Sequence, residues 1–521
     1  MKTPKWLEDA IFYEIYPPSF YDSNDDGIGD IPGITAKLDY ILSLGCNAIW
    51  LNPCFDSPFK DGGYDVRDYK KIAPRYGSNE DLFTLVKEMH KRGMHLLLDL
   101  VICHTSDEHE WFKISSQDKT NRYADRYIWT NHCFEKTNEG ISCVGGAAPR
   151  NGCYAISFFN SQPSLNYGFL NKNRDWQKDI FSKESIDTQD DMIDVVRYWL
   201  SHGVDGFRVD MAACLVKNDD SEERGTQEVW KRMFSIIKEE YKESAFVAEW
   251  ASPHRSLNCG FDMDFYLDHG WDQGNGYHHL LRKQNINYDT YKFDRDDSYF
   301  KTESHTNPKR FIDEYMFYYY NTKDNGYISF MTDNHDMVRT SYFYNEHELK
   351  IIYSFLLTMP GVPYIYYGDE IGMKYLPIPT KEGGYFRTGS RTPMQWSESI
   401  NKGFSKADKT KLYLPIDEDG PSVEKEENRE DSLLKTFKTL INLRKKYDSL
   451  KSINNIVFDY YSEDNKLMIY HRDDFYFIVN PSLEEFSFDF QGDYELIYKV
   501  GDYDVNNRKI NKSSFVILRK K

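Results

Sequence analysis

The segment GVDGFRVDMA (203–212) places two opposite charges two residues apart inside an apolar run. Side chains alternate along a strand, so Arg208 and Asp210 share one face while Phe207 and Val209 take the other. Burying a lone charge costs several kcal/mol, so the two residues need either mutual pairing or a chemical task. A guanidinium beside a carboxyl group favours the ionised form of that carboxyl group. Asp210 is therefore a candidate nucleophile.

Further polar groups stand at the ends of other apolar segments. Asp99 and His104 end one such segment, and Glu249 ends another. His335 and Asp336 end a third. Each group alone could be structural, but with Arg208 and Asp210 the set has seven members. Burying all seven would cost free energy with no gain unless they share a function. Three carboxylates without a set of metal-binding His or Cys indicate acid/base and nucleophilic chemistry at a glycosidic bond.

Eight short apolar segments have the pattern of strands, and helical patterns separate most of them. The segments are 12–17, 48–53, 95–104, 203–210, 246–250, 262–267, 328–336 and 363–372. Alternating strands and helices predict a parallel sheet, and eight units predict an α/β fold of the (β/α)8 TIM barrel type. Active residues of such barrels lie at the C-terminal ends of the strands, which is where the polar groups occur.

The helical and irregular segments predict three domains. The predicted barrel comprises 1–104 and 167–450, with an inserted subdomain at 105–166 after the third strand and a C-terminal antiparallel β-sandwich domain at 451–521. Period-2 patterns indicate the strands of that last domain. A helix that begins at Asn79 as its N-cap is expected after the second strand, and Gly45 is expected to end an earlier one.

Composition excludes several classes of partner. The net charge of −18 argues against nucleic acid and anionic membranes, and no apolar run is long enough to span a bilayer. Aromatic residues make up 16% of the chain and could stack on sugar rings. Eight cysteines without CxxC spacing indicate reduced thiols rather than a zinc site, although Cys133, Cys143 and Cys153 could pair. We therefore expect a cytoplasmic protein; an exported protein whose leader was removed is the alternative. The sequence leaves the oligomeric state open and slightly favours a monomer.

Five motifs together resemble the α-amylase superfamily, glycoside hydrolase family 13, over nearly the whole chain. They are DLVICH (99–104), QPSLN (162–166), GFRVD (206–210), AEW (248–250) and TDNHD (332–336). The resemblance implies that Asp210 is the nucleophile, Glu249 the general acid/base and Asp336 the carboxylate that stabilises the transition state. It implies a substrate-binding role for Tyr64, Asp65, His104, Gln162, Arg208, His335 and Arg391, with Asp99 supporting Arg208.

Other segments resemble the branch with oligo-1,6-glucosidases, α-glucosidases and trehalose-converting enzymes. These segments are 13–34, GGYDVRDY (62–69), 358–373 and GSRTPMQW (389–396). The resemblance implies that Asp65 pairs with Arg391 to close the pocket beyond the non-reducing sugar, with Tyr64 as a stacking platform. A closed pocket implies exo-type action on short oligosaccharides.

The loop DSNDDGIGD (22–30) has the oxygen-rich spacing that calcium prefers. The expected ligands, for structural Ca²⁺ with Mg²⁺ as an alternative, are Asp22, Asn24, Asp26, Ile28 and Asp30. The branch members with this loop bind such an ion far from the reacting bond. An Asx-rich turn without an ion is the other interpretation. No organic cofactor is expected.

Three departures from the family pattern leave the preference between α-1,4 and α-1,6 bonds open. Cys103 replaces the usual Asn, Ser164 replaces a common Asp, and 211–214 match neither the endo-amylase nor the 1,6-specific pattern. The first hypothesis is a retaining α-glucosidase on short α-1,4 or α-1,6 glucans. A transglycosylase or isomerase and an endo-acting α-amylase are the alternatives. A non-catalytic binding subunit is disfavoured because all three carboxylates are present.

Overall fold

The largest sheet contains eight strands that follow one another in chain order. In the computed structural model they are β1 (Phe12–Ile15), β2 (Ala48–Leu51), β3 (His95–Val101), β4 (Gly206–Asp210), β5 (Ala245–Ala248), β6 (Met263–Tyr266), β7 (Tyr327–Phe330) and β8 (Tyr364–Tyr366). Their order in the sheet is β7-β6-β5-β4-β3-β2-β1-β8. Six of the eight predicted segments contain one of these strands, and 246–250 and 328–336 overlap strands that begin one residue earlier, at Ala245 and Tyr327, which confirms the (β/α)8 barrel.

The structure describes residues 3–521 apart from several short stretches. These are 118–119, 136, 138–139, 268–275, 282–285, 288–291, 294–296, 384–386 and 489–491. The described α-helices are Ile31–Ala36, Leu38–Leu44, Asn79–Lys91, Glu110–Ser115, Lys183–Ser201, Arg224–Glu240, Pro253–Ser256, Gly276–Leu281, Lys309–Thr322, Glu346–Thr358, Val423–Asn428 and Leu433–Lys446. Among them, none is long and apolar enough to cross a membrane.

Two helix boundaries test the sequence signals. Gly45 has φ 105°, the left-handed backbone that ends a helix, as predicted. The helix Asn79–Lys91 has Ser78, not Asn79, as its N-cap. Ser78 accepts the N–H of Asp81, and the Asp81 carboxylate accepts the N–H of Ser78 in return. The sequence interpretation was wrong by one residue because this reciprocal pair outcompetes Asn79, whose side chain accepts the N–H of Ile72 instead.

Packing divides the chain into two compact units. The first comprises 1–4, 30–35 and 49–264, and the second comprises 5–29, 36–48 and 265–521. The first unit contains β3, β4 and β5; the second contains β1, β7 and β8. The predicted domain boundaries at 105, 167 and 451 stay predictions.

In the first unit, β3 and β4 pair in parallel with Asp99 opposite Arg208 and Val101 opposite Asp210. This register brings the polar ends of the two strands together. The segment predicted as an insertion holds the helix Glu110–Ser115 and an antiparallel pair, Cys143–Gly145 with Cys153–Ala155. A second short pair joins Phe55–Asp56 to Asp68–Ile72.

In the second unit, β1 pairs in parallel with β8. The C-terminal part forms an antiparallel sheet of five strands, in the order Val457–Tyr460, Met468–Arg472, Phe475–Asn480, Ser514–Lys520, Tyr494–Val500. A three-stranded sheet of Phe486–Ser487, Lys509–Ile510 and Tyr503–Asp504 accompanies it. Ile469, Ile478 and Val516, on the five-stranded sheet, lie in the buried core of this C-terminal part. The predicted antiparallel β region is therefore present.

Candidate active site

Arg208 is the centre of an acidic cluster in the first unit. It lies on β4, is almost fully buried, and its Nη1 contacts Asp99 Oδ1 at 2.8 Å and Asp210 Oδ1 at 2.9 Å. Its Nη2 contacts Glu249 Oε1 at 2.9 Å. One guanidinium therefore holds three carboxylates, two of which are the predicted nucleophile and acid/base. The pairing that the alternation of β4 predicted is present, and Glu249 joins it.

The backbone next to Asp210 also holds Glu249. Met211 has φ 45°, a left-handed conformation that is uncommon for a residue with a β-carbon. In this conformation its N–H donates to Glu249 Oε2 at 2.9 Å. The side chains of Asp210 and Glu249 keep 8% and 15% of their surface accessible. Both carboxyls are thus fixed by protein groups and still reachable.

Burial shapes the protonation of the two carboxyls. Burial raises the pKa of Asp210 well above its usual range, Arg208 opposes the rise, and the neighbouring Glu249 adds to it. Two carboxyls that share one cation and lie in a buried site do not both ionise readily. The pair can therefore hold one proton and one negative charge, as an acid and a nucleophile require.

Asp99 contacts Arg208, in line with the supporting role that the resemblance implies. Its Oδ2 accepts hydrogen bonds from Trp50 Nε1 and from the Tyr64 hydroxyl, both at 3.1 Å. Arg208 also lies 5.0 Å from the centre of the Trp50 ring. These contacts leave Asp99 buried and pointed at Arg208, so that the guanidinium has one orientation.

His104 presents a free ring nitrogen in the first unit. Its Nε2 donates to the Tyr64 carbonyl at 3.0 Å, and burial lowers its pKa to about 4, so the ring is neutral. Within the described part of the chain, its buried Nδ1 has no hydrogen-bond partner. An unprotonated ring nitrogen accepts a hydrogen bond, so His104 can accept one from a ligand hydroxyl.

Asp65 and Gln162 belong to a network around Asp61. Asp65 accepts hydrogen bonds from Ser57 Oγ at 3.0 Å and from the N–H groups of Lys60 and Asp61 at 2.9 and 3.1 Å. Burial raises its pKa to about 6. Gln162 Nε2 donates to Asp61 Oδ2 at 2.6 Å. Asp65 therefore holds its own loop together.

Asp336 is the most accessible of the predicted catalytic carboxylates, with 34% of its side chain exposed. It lies in the second unit, beyond the end of β7. Its Oδ2 contacts His335 Nε2 at 3.1 Å, and His335 Nδ1 contacts Glu14 Oε1, on β1, at 2.7 Å. The buried His335 ring thus lies between two carboxylates.

Two arginines converge on Asp336 Oδ1. Arg391 Nη2 contacts it at 2.8 Å and Arg387 Nη1 at 3.1 Å. Arg391 Nη1 contacts Glu382 at 2.8 Å. Sequence reasoning missed Arg387 and Glu382 because they lie in an irregular segment; the spacing of two arginines in RTGSR (387–391) is the signal that could have found the first.

The predicted pair of Asp65 and Arg391 joins residues of the two units and stays a prediction. Inside its own unit, each partner has other contacts. Asp65 accepts three hydrogen bonds from its loop, and Arg391 pairs with Asp336 and Glu382.

Ion pairs determine the charges of His335 and Asp336 in the second unit. Burial lowers the pKa of His335, but Asp336 and Glu14 outweigh it and raise the pKa to about 9. Burial raises the pKa of Asp336, and His335, Arg387 and Arg391 outweigh it and hold the pKa well below its usual range. At neutral pH, Asp336 is therefore an anion beside an imidazolium.

The Asp-rich loop forms a chain of Asx turns. Asp22 accepts the N–H of Gly27, which has φ 96°, at 2.8 Å, and the Ser405 hydroxyl at 2.6 Å. Three further side chains each accept a backbone N–H two or three residues along: Asn24, Asp26 and Asp30. Among the described residues, no three Asp, Glu, His or Cys side chains are grouped as a metal site. The oxygens of 22–28 have the donor chemistry for a hard cation, but they face amides here, so the ion stays a prediction.

The cysteines are thiols in the structure. None of the eight described cysteines forms a disulfide, and Cys153 Sγ lies 3.1 Å from the Cys133 carbonyl oxygen. Cys103, which replaces the usual Asn, donates from Sγ to the Met211 carbonyl at 3.1 Å. It thereby holds the residue whose N–H contacts Glu249.

Comparison with known proteins adds to this geometry. Residues 14–452 match the family model of the alpha amylase catalytic domain. The chain is 31% identical to the trehalose synthase/amylase TreS of Mycolicibacterium smegmatis, over 85% of this chain and 77% of that protein. It is 31% identical to the oligo-1,6-glucosidase of Parageobacillus thermoglucosidasius, over 85% and 84%. An isomaltulose synthase from Klebsiella sp. LX3 superposes with a TM-score of 0.79 at 25% identity, over all of both chains.

Proposed function

Because the chain belongs to the alpha-amylase family and is an enzyme that acts on O-glycosyl bonds, we propose that it is a retaining α-glucosidase. It releases glucose from the non-reducing end of short α-1,4- or α-1,6-linked gluco-oligosaccharides. The observation that carries this proposal is the position of Asp210 and Glu249 on the two terminal nitrogens of one buried arginine.

The reaction begins when the Asp210 carboxylate attacks the anomeric carbon of the bound glucosyl unit. Glu249, as the carboxylic acid, gives its proton to the departing glycosidic oxygen as that bond breaks. The product is a glucosyl ester on Asp210. Glu249, now a carboxylate, takes a proton from water, which attacks the anomeric carbon and frees Asp210. Two inversions retain the α configuration.

Asp336 and His335 bind the sugar while its ring flattens and gains positive charge. The exposed part of the Asp336 anion accepts hydrogen bonds from sugar hydroxyls, and its charge favours the oxocarbenium-like transition state. The imidazolium of His335, whose ring nitrogens contact Glu14 and Asp336, holds Asp336 in place beside the sugar. His104 accepts a hydrogen bond from a sugar hydroxyl at its free Nδ1, and Tyr64 and Arg391 complete the binding set with Asp65 and Gln162.

Glycosyl transfer is the second candidate, and two comparisons favour it. One relative is named a trehalose synthase/amylase, and a similar structure is an isomaltulose synthase. In that reaction a sugar hydroxyl replaces water in the second step. An endo-acting amylase remains the third.

Product analysis separates the three. The enzyme is incubated with maltose, isomaltose, trehalose, sucrose and soluble starch, and products are followed by chromatography and by NMR of the anomeric proton. Release of α-glucose from maltose or isomaltose supports the proposal. Isomerised or lengthened sugars without glucose would instead indicate glycosyl transfer. Rapid loss of starch viscosity would indicate an endo-acting amylase.

We also propose that the Asp22–Asp30 loop binds structural Ca²⁺, or Mg²⁺, through Asp22, Asn24, Asp26 and the Ile28 carbonyl, with Asp30 nearby in sequence. An ion there would stabilise the fold and take no part in the reaction. Chelation should lower the melting temperature, and added Ca²⁺ should restore it in the wild type but not in Asp26→Ala. An unchanged melting temperature on chelation would indicate an Asx-rich turn without an ion.

The free cysteines support a reducing compartment, and we propose a cytoplasmic location on that ground. Fractionation of the native host, with the enzyme assayed in each fraction, tests it; recovery outside the cell would contradict it.

A further inference from the structure

Glu382 is a buried carboxylate to which the proposed reaction assigns no role. It lies in the segment after β8 and is 1% exposed. Its Oε2 accepts hydrogen bonds from the Tyr16 hydroxyl at 2.5 Å and from Arg391 Nη1 at 2.8 Å. Its Oε1 accepts the Tyr413 hydroxyl at 2.5 Å. Every contact of this carboxylate is charge-assisted, so it is ionised and immobile.

The same residue holds both arginines that contact Asp336. Arg391 bridges the two carboxylates, with Nη1 on Glu382 and Nη2 on Asp336 at 2.8 Å each. Arg387 donates from Nη2 to the Glu382 carbonyl at 3.1 Å and from Nη1 to Asp336 at 3.1 Å. Arg391 Nε also donates to the His335 carbonyl at 2.8 Å. The Glu382 carboxylate thus holds Arg391, and the Glu382 backbone carbonyl holds Arg387, relative to Asp336.

The charge of Arg391, shared between Glu382 and Asp336, affects the electrostatic field of Asp336. Arg391 carries one positive charge, which two carboxylates share. Without Glu382, that charge would face Asp336 alone and would neutralise more of its field. Asp336 would then stabilise a cationic sugar less well, although it would keep its hydrogen bonds to a neutral one.

We propose that Glu382 is a positioning residue for Asp336: it holds Arg391 and Arg387 in place and takes up part of the Arg391 charge, so that Asp336 keeps its negative field for the transition state. This proposal rests on the proposed function, in which Asp336 stabilises positive charge on the sugar. Glu382 itself contacts no reacting atom.

The test compares Glu382→Gln with Glu382→Asp. In metal sites, removal of a partner that orients a ligand costs about 10- to 100-fold in affinity or activity, and we take the same scale for a partner that orients a catalytic carboxylate. We expect Glu382→Gln to lower kcat by about this factor on the best disaccharide from the product screen, with KM changed far less. We expect Glu382→Asp, which keeps the charge, to recover part of the loss.

A second readout distinguishes positioning from simple structural support. Binding of a cationic sugar mimic, 1-deoxynojirimycin, is compared with binding of glucose by calorimetry. Glu382→Gln should weaken the cationic mimic by about the factor lost in kcat and leave glucose nearly unchanged. Glu398→Gln is the matched control, because Glu398 lies on the same segment and pairs with Lys402 and Lys425 instead; it should match the wild type in both measurements.

The outcomes separate the two proposals. If Glu382→Gln folds and keeps wild-type kcat and the wild-type ratio of the two affinities, while Asp336→Asn is inactive, the role of Glu382 is wrong and the proposed function stands. If Asp336→Asn keeps wild-type activity, both are wrong. If Glu382→Gln does not fold, Tyr413→Phe, which removes one hydrogen bond to Glu382, replaces it. Tyr413→Phe should then show a smaller loss of kcat and of affinity for the cationic mimic. Wild-type behaviour in both Tyr413→Phe and Glu382→Asp would overturn the role of Glu382.

Discussion

At the scale of residues, the cluster around Arg208 and the cluster around Asp336 are each organised around buried ion pairs with more than two members. Arg208 holds three carboxylates, and Asp336 contacts His335 and two arginines. Buried ions are costly, so such groups persist when they are fully paired or when they serve a reaction. In each cluster the proposed catalytic carboxylates keep part of their side chain accessible: 8% for Asp210, 15% for Glu249 and 34% for Asp336.

The nucleophile can be tested by an isosteric change. Asp210→Asn keeps the shape and one hydrogen-bond acceptor for Arg208 but cannot form the glucosyl ester. We expect kcat to fall by at least about 10³-fold with little change in the melting temperature. Asp194→Asn, which alters a largely exposed aspartate paired with Lys70, is the control. Retention of more than a tenth of the activity in Asp210→Asn would contradict the role.

His335 makes stability depend on pH. Its pKa is about 9 when folded and about 6.5 when unfolded, so its contribution is complete below about pH 6.5 and is lost as the pH rises through about 9. We expect the free energy of unfolding to fall by about 2–4 kcal/mol between pH 6.5 and 10. Urea titrations should show this slope in the wild type and in the exposed-site control His202→Gln. An equal slope in His335→Gln would show that other groups cause it.

At the scale of elements, local patterns determined the strands and helices well. The helix Leu433–Lys446 and six of the eight barrel strands lie within predicted segments, and the other two strands begin one residue earlier, because their apolar periodicity is strong. The same strand ends led to Asp99, Arg208, Asp210 and Glu249. Glu382 and Arg387 could not be found in this way, because their positions depend on a long irregular segment whose path no periodicity encodes.

The reciprocal cap at Ser78 predicts a stability effect confined to one helix. Ser78→Ala removes the acceptor for the Asp81 N–H and should cost about 1 kcal/mol. Urea unfolding should show a lower midpoint with unchanged kcat. Ser43→Ala, where the hydroxyl only donates to the Tyr40 carbonyl at the end of a helix, is the control and should cost less. Equal losses in the two variants would argue against the cap.

At the scale of the whole molecule, a net charge of −18 accompanies a proposed neutral substrate. Long-range fields steer charged ligands, and salt screens them over about 10 Å at 0.1 M. A neutral oligosaccharide gains nothing from this field. We therefore expect kcat/KM to change less than about twofold between 20 and 500 mM NaCl. A tenfold or larger loss at high salt would indicate a charged substrate instead.

The covalent intermediate provides the most direct measurement. Glu249→Gln is incubated with 5-fluoro-α-D-glucopyranosyl fluoride, whose fluoride leaves without protonation and whose ring fluorine slows hydrolysis of the ester. Peptide mass spectrometry should then find one fluoroglucosyl group on the peptide that contains Asp210, and none in the variant that also carries Asp210→Asn. A label on another residue, or β-glucose as the first product with no adduct, would contradict a retaining reaction at Asp210.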